Sequence, residues 1–185
     1  MNNAGVGFLG SIEQTSAEDL ARLMDINFLG VWRMTQAVFP AMRERRTGRI
    51  ITVTSIGGVI GQPFNDAYCA AKFAAEGLME SLAPTARKLG IQVSLIEPGP
   101  INTEFVANAH QPDLTFVQEP YRPLLTDFIT QGERVYRLLG QSGDEVARVI
   151  VKVATRKRPA LRYTTSRRAH LIVRAFLAAK LWSAR

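Results

Sequence analysis

An α/β fold built on a parallel sheet is predicted by three features of this sequence. Arg49 to Thr54 (RIITVT) and Ile91 to Ile96 (IQVSLI) are short runs, rich in β-branched residues and apolar on both faces, as strands buried from both sides require. Between them, Asp66 to Leu89 is long enough to be a crossover helix and is followed by Gly90, where a left-handed residue commonly ends a helix. Strand, helix and strand then form a βαβ unit, which is parallel and right-handed almost without exception.

The other elements follow in chain order. Ser16 is placed to cap a helix whose first turn carries Glu18 and Asp19, and Leu20, Leu23, Met24, Asn27, Phe28 and Val31 recur at helical spacing. That helix is predicted from Ala17 to about Arg45, with Pro40 kinking it or marking its last turns. Gly57, Gly58, Gly61 and Pro63 predict a loop after the first strand. Asn102 to Gln118 has no clear period and precedes a helix expected at about Tyr121 to Leu139, so the stretch at about 102–140 is expected to be a substrate lid. A further helix is expected from Ser142–Glu145 to about Thr155, a short last strand at Leu161 to Tyr163, and an amphipathic helix from Arg167 to Trp182, closing a basic C-terminal segment at about 167–185. One domain is expected.

Composition narrows the class. With 185 residues, 46% hydrophobic and 21% charged, the chain is neither disordered nor fibrous. The lone Cys69 excludes an intramolecular disulfide, no Cys/His cluster has metal-ligand spacing, and no apolar run reaches the length of a membrane span. Met1 to Ile12 lacks the basic start of a signal peptide, so a cytoplasmic protein is expected. The net charge of +7 is concentrated late: from Val146 to Arg185 there are eleven basic residues and no acidic one. No nucleic-acid reading module accompanies that stripe, and nucleic acid is not an expected partner. In the last helix Leu171, Ile172, Ala175, Phe176, Ala179 and Trp182 share a face flanked by Arg167, Arg168, Arg174, Lys180 and Arg185. Either that face packs on the core, or the helix makes peripheral contact with anionic lipid.

Chemistry is carried by Tyr68 and Lys72, four residues apart and so on one face at the start of the crossover helix. A phenol with a pKa near 10 is a poor base at neutral pH, but a neighbouring ammonium favours its ionised form. Tyr68 could then exchange a proton with an alcohol or carbonyl. Ser55 lies at the carboxyl end of the preceding strand, where ligands bind in open α/β sheets; the bland reading of its hydroxyl is a turn cap.

Further signals fall in one order: Asn2-Asn3-Ala4-Gly5, Asn27-Phe28-Leu29-Gly30, Ser55, Tyr68, Lys72, and Pro98-Gly99-Pro100-Ile101-Asn102-Thr103. Together they resemble the short-chain dehydrogenase/reductase family from residue 2 to at least residue 105. Gly61 to Phe73 (GQPFNDAYCAAKF) and Pro159 to Tyr163 (PALRY) resemble the branch holding estradiol 17-beta-dehydrogenase and photoreceptor retinol dehydrogenase. The resemblance implies a Rossmann-type doubly wound parallel sheet, NAD or NADP as cofactor, and hydride transfer on an alcohol/carbonyl substrate that is apolar, steroid- or retinol-like. It also implies a homodimer or homotetramer joined through the helices Ala17–Arg45 and Asp66–Leu89.

For single residues, the resemblance makes Tyr68 the general acid/base and Ser55 the partner of the reacting oxygen. Lys72 holds the nicotinamide ribose and depresses the Tyr68 pKa, and Asn27 anchors a water linking Lys72 to solvent. Asn3 combines sheet support with cofactor contact, Pro98 and Gly99 turn the chain under the nicotinamide, and Ile101 and Thr103 meet its carboxamide. An intact member begins with a strand and a Gly-rich turn that cradles the pyrophosphate, and neither precedes Asn2. At about 30 residues per βαβ unit, the resemblance implies that roughly 80 to 90 residues, three βα units and most of a fourth strand, are missing, with Met1 a truncation point or a misassigned start. Such a chain is expected to expose an apolar sheet edge and to bind dinucleotide poorly; the competing expectation is an inactive fragment serving as a binding or oligomerisation partner.

Overall fold

The computed structural model describes residues 1–105, 108–110 and 117–182, with the side chains of 177 and 179–182 outside the described set. The expected lid at 106–107 and 111–116, the end of the expected basic segment at 183–185, and the expected faces of Ala179, Lys180 and Trp182 therefore lie outside the described residues.

β1 (Gly48–Val53) and β2 (Ile91–Glu97) pair in parallel through six consecutive residues, from Gly48↔Ile91 to Val53↔Ile96. β5 (Arg162–Thr164) adds to the far side of β2, also in parallel, and Asn2 bridges to Thr52 on the outer side of β1. Alternation along these strands sends two stripes to opposite faces. Ile50, Val93 and Leu95 face α2 (Gly30–Arg45) and α3 (Asp66–Lys88), where Val31, Met79 and Ala86 complete a buried cluster. Ile51 and Ile96 face the other way and pack on Val153 of α5 (Gly143–Thr155). Helices on both faces of a parallel sheet make the fold Rossmann-type and doubly wound, as predicted.

Several boundaries move. The predicted helix Ala17–Arg45 is α1 (Ala17–Met24) and α2 joined by a π-helical turn, Asp25–Leu29, with Pro40 in the last two turns of α2. β1 starts at Gly48 and stops before Thr54, while β2 runs one residue further, to Glu97. Two two-residue strands, β3 (Ile101–Asn102) and β4 (Gln141–Ser142), pair in parallel and are too short for periodicity to register. They bracket α4 (Tyr121–Leu139), which spans the predicted helix, and Ser142 caps α5 in a complete capping box with Glu145. α6 (Arg167–Trp182) ends the described chain.

At the base of the sheet the two helix ends nearly touch. Gly90 has φ +83°, and a Cβ there would stand 2.0 Å from the Arg46 carbonyl oxygen, so only glycine lets α3 turn into β2 beside the end of α2. That close approach starts β1 and β2 in register.

Candidate active site

Two strand exits and one helix start supply the site. Past the carboxyl end of β1 come Thr54 and Ser55, and past β2 come Pro98 and Gly99. Backbone bonds tie the exits together: Thr54 N–H to the Ile96 carbonyl at 2.8 Å and Ile56 N–H to the Pro98 carbonyl at 2.9 Å. The Ser55 hydroxyl accepts the Gly57 N–H at 3.0 Å, capping the short turn Ile56–Gly58. It is thus a turn cap and, at once, part of the cleft wall beside Tyr68.

α3 turns Tyr68 and Lys72 toward the sheet, and both are buried. The Lys72 ammonium donates to the Val53 carbonyl at 3.3 Å and stands 5.7 Å from the centre of the Tyr68 ring. Asn27 reaches this place from the π-helical turn, a distortion frequent at functional sites. Its Oδ1 accepts the Val6 N–H and its Nδ2 donates to the Val6 carbonyl, both at 2.9 Å. Gly5 keeps the gap open, because a Cβ there would stand 2.9 Å from Asn27 Oδ1 and 3.3 Å from Lys72 Nζ.

Electrostatics corrects one expectation. Burial pushes the Tyr68 phenol up to about 12, and although the Ser55 hydroxyl pulls it down, Lys72 does not enter as a cause. Burial likewise pushes Lys72 down to about 8, offset in part by the Glu76 carboxylate one turn later. Taking both groups out of water outweighs the attraction that i, i+4 spacing suggests.

A cleft of about 590 Å³ opens here, lined by Asn3, Ser55, Tyr68, Lys72, Pro98, Gly99, Ile101 and Thr103. Of the predicted site residues only Asn27 stands behind the wall rather than in it. Sheet support belongs to Asn2, whose Nδ2 donates to Thr52 Oγ1 at 3.1 Å and Thr35 Oγ1 at 3.3 Å, and Asn3 is left to line the cleft. Through Ile101, Thr103, Phe105 and Tyr136 the cleft adjoins a second cavity of about 690 Å³, walled chiefly by apolar side chains such as Phe8, Phe128 and Ile129. Phe105 and Tyr136 were missed from the sequence. Phe105 falls in an aperiodic stretch, where its ring meets Tyr68 at 6.0 Å between centroids.

Residues 1–113 match the family described as short chain dehydrogenase. The chain belongs to the short-chain dehydrogenase family, a family of oxidoreductases. It is 39% identical over 171 residues to 17-beta-hydroxysteroid dehydrogenase type 1 of Homo sapiens, covering 90% of this chain and 52% of that protein. Over 180 residues it is 39% identical to retinol dehydrogenase 8 of Bos taurus, covering 91% of this chain and 55% of that one. This short-chain dehydrogenase thus spans about half the length of the curated relatives it matches. Among solved structures, a short chain dehydrogenase/reductase from Burkholderia phymatum in complex with NAD aligns with a TM-score of 0.76 at 26% identity, over 94% of this chain and 62% of that one.

Replacing Asn27 by Ala strands both backbone polar groups of half-buried Val6, and should lower the unfolding free energy by about 1–3 kcal/mol. Urea denaturation checks this, and a loss below ~1 kcal/mol contradicts it.

Proposed function

We propose that this short-chain dehydrogenase transfers hydride between NAD or NADP and an alcohol/carbonyl substrate with an apolar, steroid- or retinol-like body. The observation that carries the reading is the convergence of Ser55, Tyr68 and Lys72 on a cleft adjoining a separate, mainly apolar cavity. The inactive-partner alternative has no such observation in its favour.

The cleft suits the nicotinamide-ribose half of a dinucleotide. Gly5 and Gly99 leave its floor open, Lys72 brings an ammonium to the level of ribose hydroxyls, and Pro98, Ile101 and Thr103 form the wall against which a carboxamide would lie. Bound there, the nicotinamide supplies or accepts the hydride. Tyr68, protonated at neutral pH because burial raises its pKa, donates to the carbonyl oxygen in the reducing direction and is left as phenolate, the form that takes the alcohol proton in the oxidising one. Ser55, fixed by its bond with Gly57, holds that oxygen in place. Lys72 holds the ribose with its charge, and Asn27, through its paired bonds with Val6, holds the Gly5 segment beside Lys72.

Tyr68→Phe should abolish hydride transfer while leaving NADH affinity within about threefold, since only the proton-transferring oxygen is lost. Lys72→Ala should impair both affinity and rate. Stopped-flow turnover and NADH fluorescence titration read the two separately, and a Tyr68→Phe rate within about tenfold of wild type overturns the assignment.

Two contacts extend this reading. On their outer side α2 and α3 form an apolar groove of about 290 Å³ lined by Trp32, Phe39, Leu78 and Leu82, and a second copy of the chain suits it. Among the described side chains of α6 the buried residues are Ala169 and Val173, whereas Leu171, Ile172 and Phe176 are 65%, 41% and 39% exposed. The described part of the apolar face read from the sequence, Leu171, Ile172 and Phe176, is therefore turned outward beside Arg167, Arg168 and Arg174, which suits an anionic lipid surface. No helix among the described residues is long and apolar enough to cross a membrane. Light scattering should report a dimer or tetramer, and sedimentation with anionic vesicles should retain the protein at low salt and release it at high salt. A monomer, or retention equal on neutral vesicles, contradicts the respective contact.

A further inference from the structure

Beneath the cleft two buried carboxylates meet a partly exposed arginine in a charge cluster that none of the proposed chemistry uses. Glu97 continues the stripe Val93, Leu95 on the α3 face of β2, where an apolar residue would ordinarily stand, and it is 3% exposed. Glu76, two turns after Tyr68 on α3, is 5% exposed. Arg162 enters from the start of β5: its Nε donates to Glu76 Oε2 at 3.1 Å, its Nη2 donates to Glu80 Oε2 at 2.8 Å, and Nε lies 3.2 Å from Glu97 Oε1. Because that N–H is directed at Glu76, Glu97 Oε1 has no hydrogen-bond partner among the described residues.

Each carboxylate is joined to a segment of the site. Thr54, which precedes Ser55, places its hydroxyl 2.5 Å from Glu76 Oε1. The turn capped by Ser55 rests on the Glu76 stem, since a Cβ on Gly58 would stand 3.0 Å from Glu76 Cγ. Lys72 is one helical turn before Glu76, and Glu97 directly precedes Pro98 and Gly99. We propose that Arg162 is a positioning residue for the reaction, coupling the exits of β1 and β2 to α3 through Glu76 and Glu97, with Glu97 the group through which pH acts on the site. This rests on the reading of Ser55, Lys72 and Pro98-Gly99 given above.

The electrostatics supplies the switch. Two buried carboxylates share one guanidinium, and burial together with the Glu76 charge pushes Glu97 up to about 7, against the pull of Arg162. Among the described residues the charged groups that act on Glu97 are Glu76 from α3 and Arg162 from β5; Glu80 of α3 shares Arg162 with them, and the segment just past β1 presents Thr54 to Glu76. Below neutrality protonated Glu97 leaves Arg162 to Glu76 and Glu80. Above it, a second carboxylate competes for the same N–H and loosens the tie to Thr54 and Ser55. A carboxylic acid whose folded-state pKa is raised stabilises the fold at low pH, and that stability is lost as pH rises from the unfolded value through the folded one.

Glu97→Gln keeps the shape and removes the titration. In the purified protein the wild-type melting temperature should fall between about pH 5 and 8 relative to Glu97→Gln, and an infrared band of a protonated carboxyl should vanish in the variant. The ratio of NADH affinities at about pH 6 and 8 should shrink at least ~threefold in Glu97→Gln. Arg162→Lys keeps the charge but not the fork, and should lower kcat by about tenfold with KM less affected. Unchanged pH dependence in Glu97→Gln, or wild-type kcat in Arg162→Lys, overturns the proposal. If Tyr68→Phe remains active, the reading of the site fails instead; if Tyr68→Phe is inactive while Glu97→Gln matches wild type, only the positioning role fails.

Discussion

Register between β1 and β2 decides where each reacting group stands, because both strands deliver their site residues within three positions of their last pair, Val53↔Ile96. A slip of one residue would send Thr54 and Glu97 to the opposite face and part Ser55 from Pro98, since side chains alternate with a period of two. The pairing is anchored at its base by the approach of Gly90 to Arg46 and closed at its top by the Ile56–Pro98 backbone bond. α3, the link between the two strands, is held against them by Met79 and Ala86, both with no exposed surface, and so has no freedom to lift Tyr68 and Lys72 toward solvent.

From that packing follows the acid–base character of the site. A phenol and an ammonium taken out of water together both move toward their neutral forms, Tyr68 upward and Lys72 downward. The polar atoms that ease this burial are few: the Val53 carbonyl for Lys72, the Ser55 hydroxyl for Tyr68, and Glu76 acting on Lys72 through space. Glu76 in turn needs Arg162, and Arg162 is shared with Glu97, so the charge balance of the visible site is set by residues beneath it.

Much of this was legible in the sequence, for definite reasons. Strands buried on both faces carry a continuous apolar signature, and a helix between them leaves one handedness, so the βαβ core and the places of Ser55, Tyr68 and Lys72 followed from pattern. The π-helical turn that directs Asn27 to Val6 did not, because periodicity at 3.6 residues passes through a single wide turn without losing phase by much. Tyr136 sits on a helix whose amphipathic pattern marks it for burial but not for which cavity it walls. The net direction of the Tyr68 pKa was not legible, since spacing reports the proximity of Lys72 while burial, the largest cause, depends on packing. Glu97 ended outside the predicted strand, and with it the cluster around Arg162.

The central claim, that burial against the strand exits holds Tyr68 neutral, is open to a direct measurement. Carbon-13 labelling of the tyrosine ring carbons, with Tyr68 assigned by comparison with Tyr68→Phe, gives its titration by NMR in the protein without dinucleotide. The account predicts that Tyr68 stays protonated past the ordinary phenol value of 10 and titrates at about 12. A Tyr68 that ionises below 10 would mean that the Lys72 charge, and not desolvation, governs the phenol.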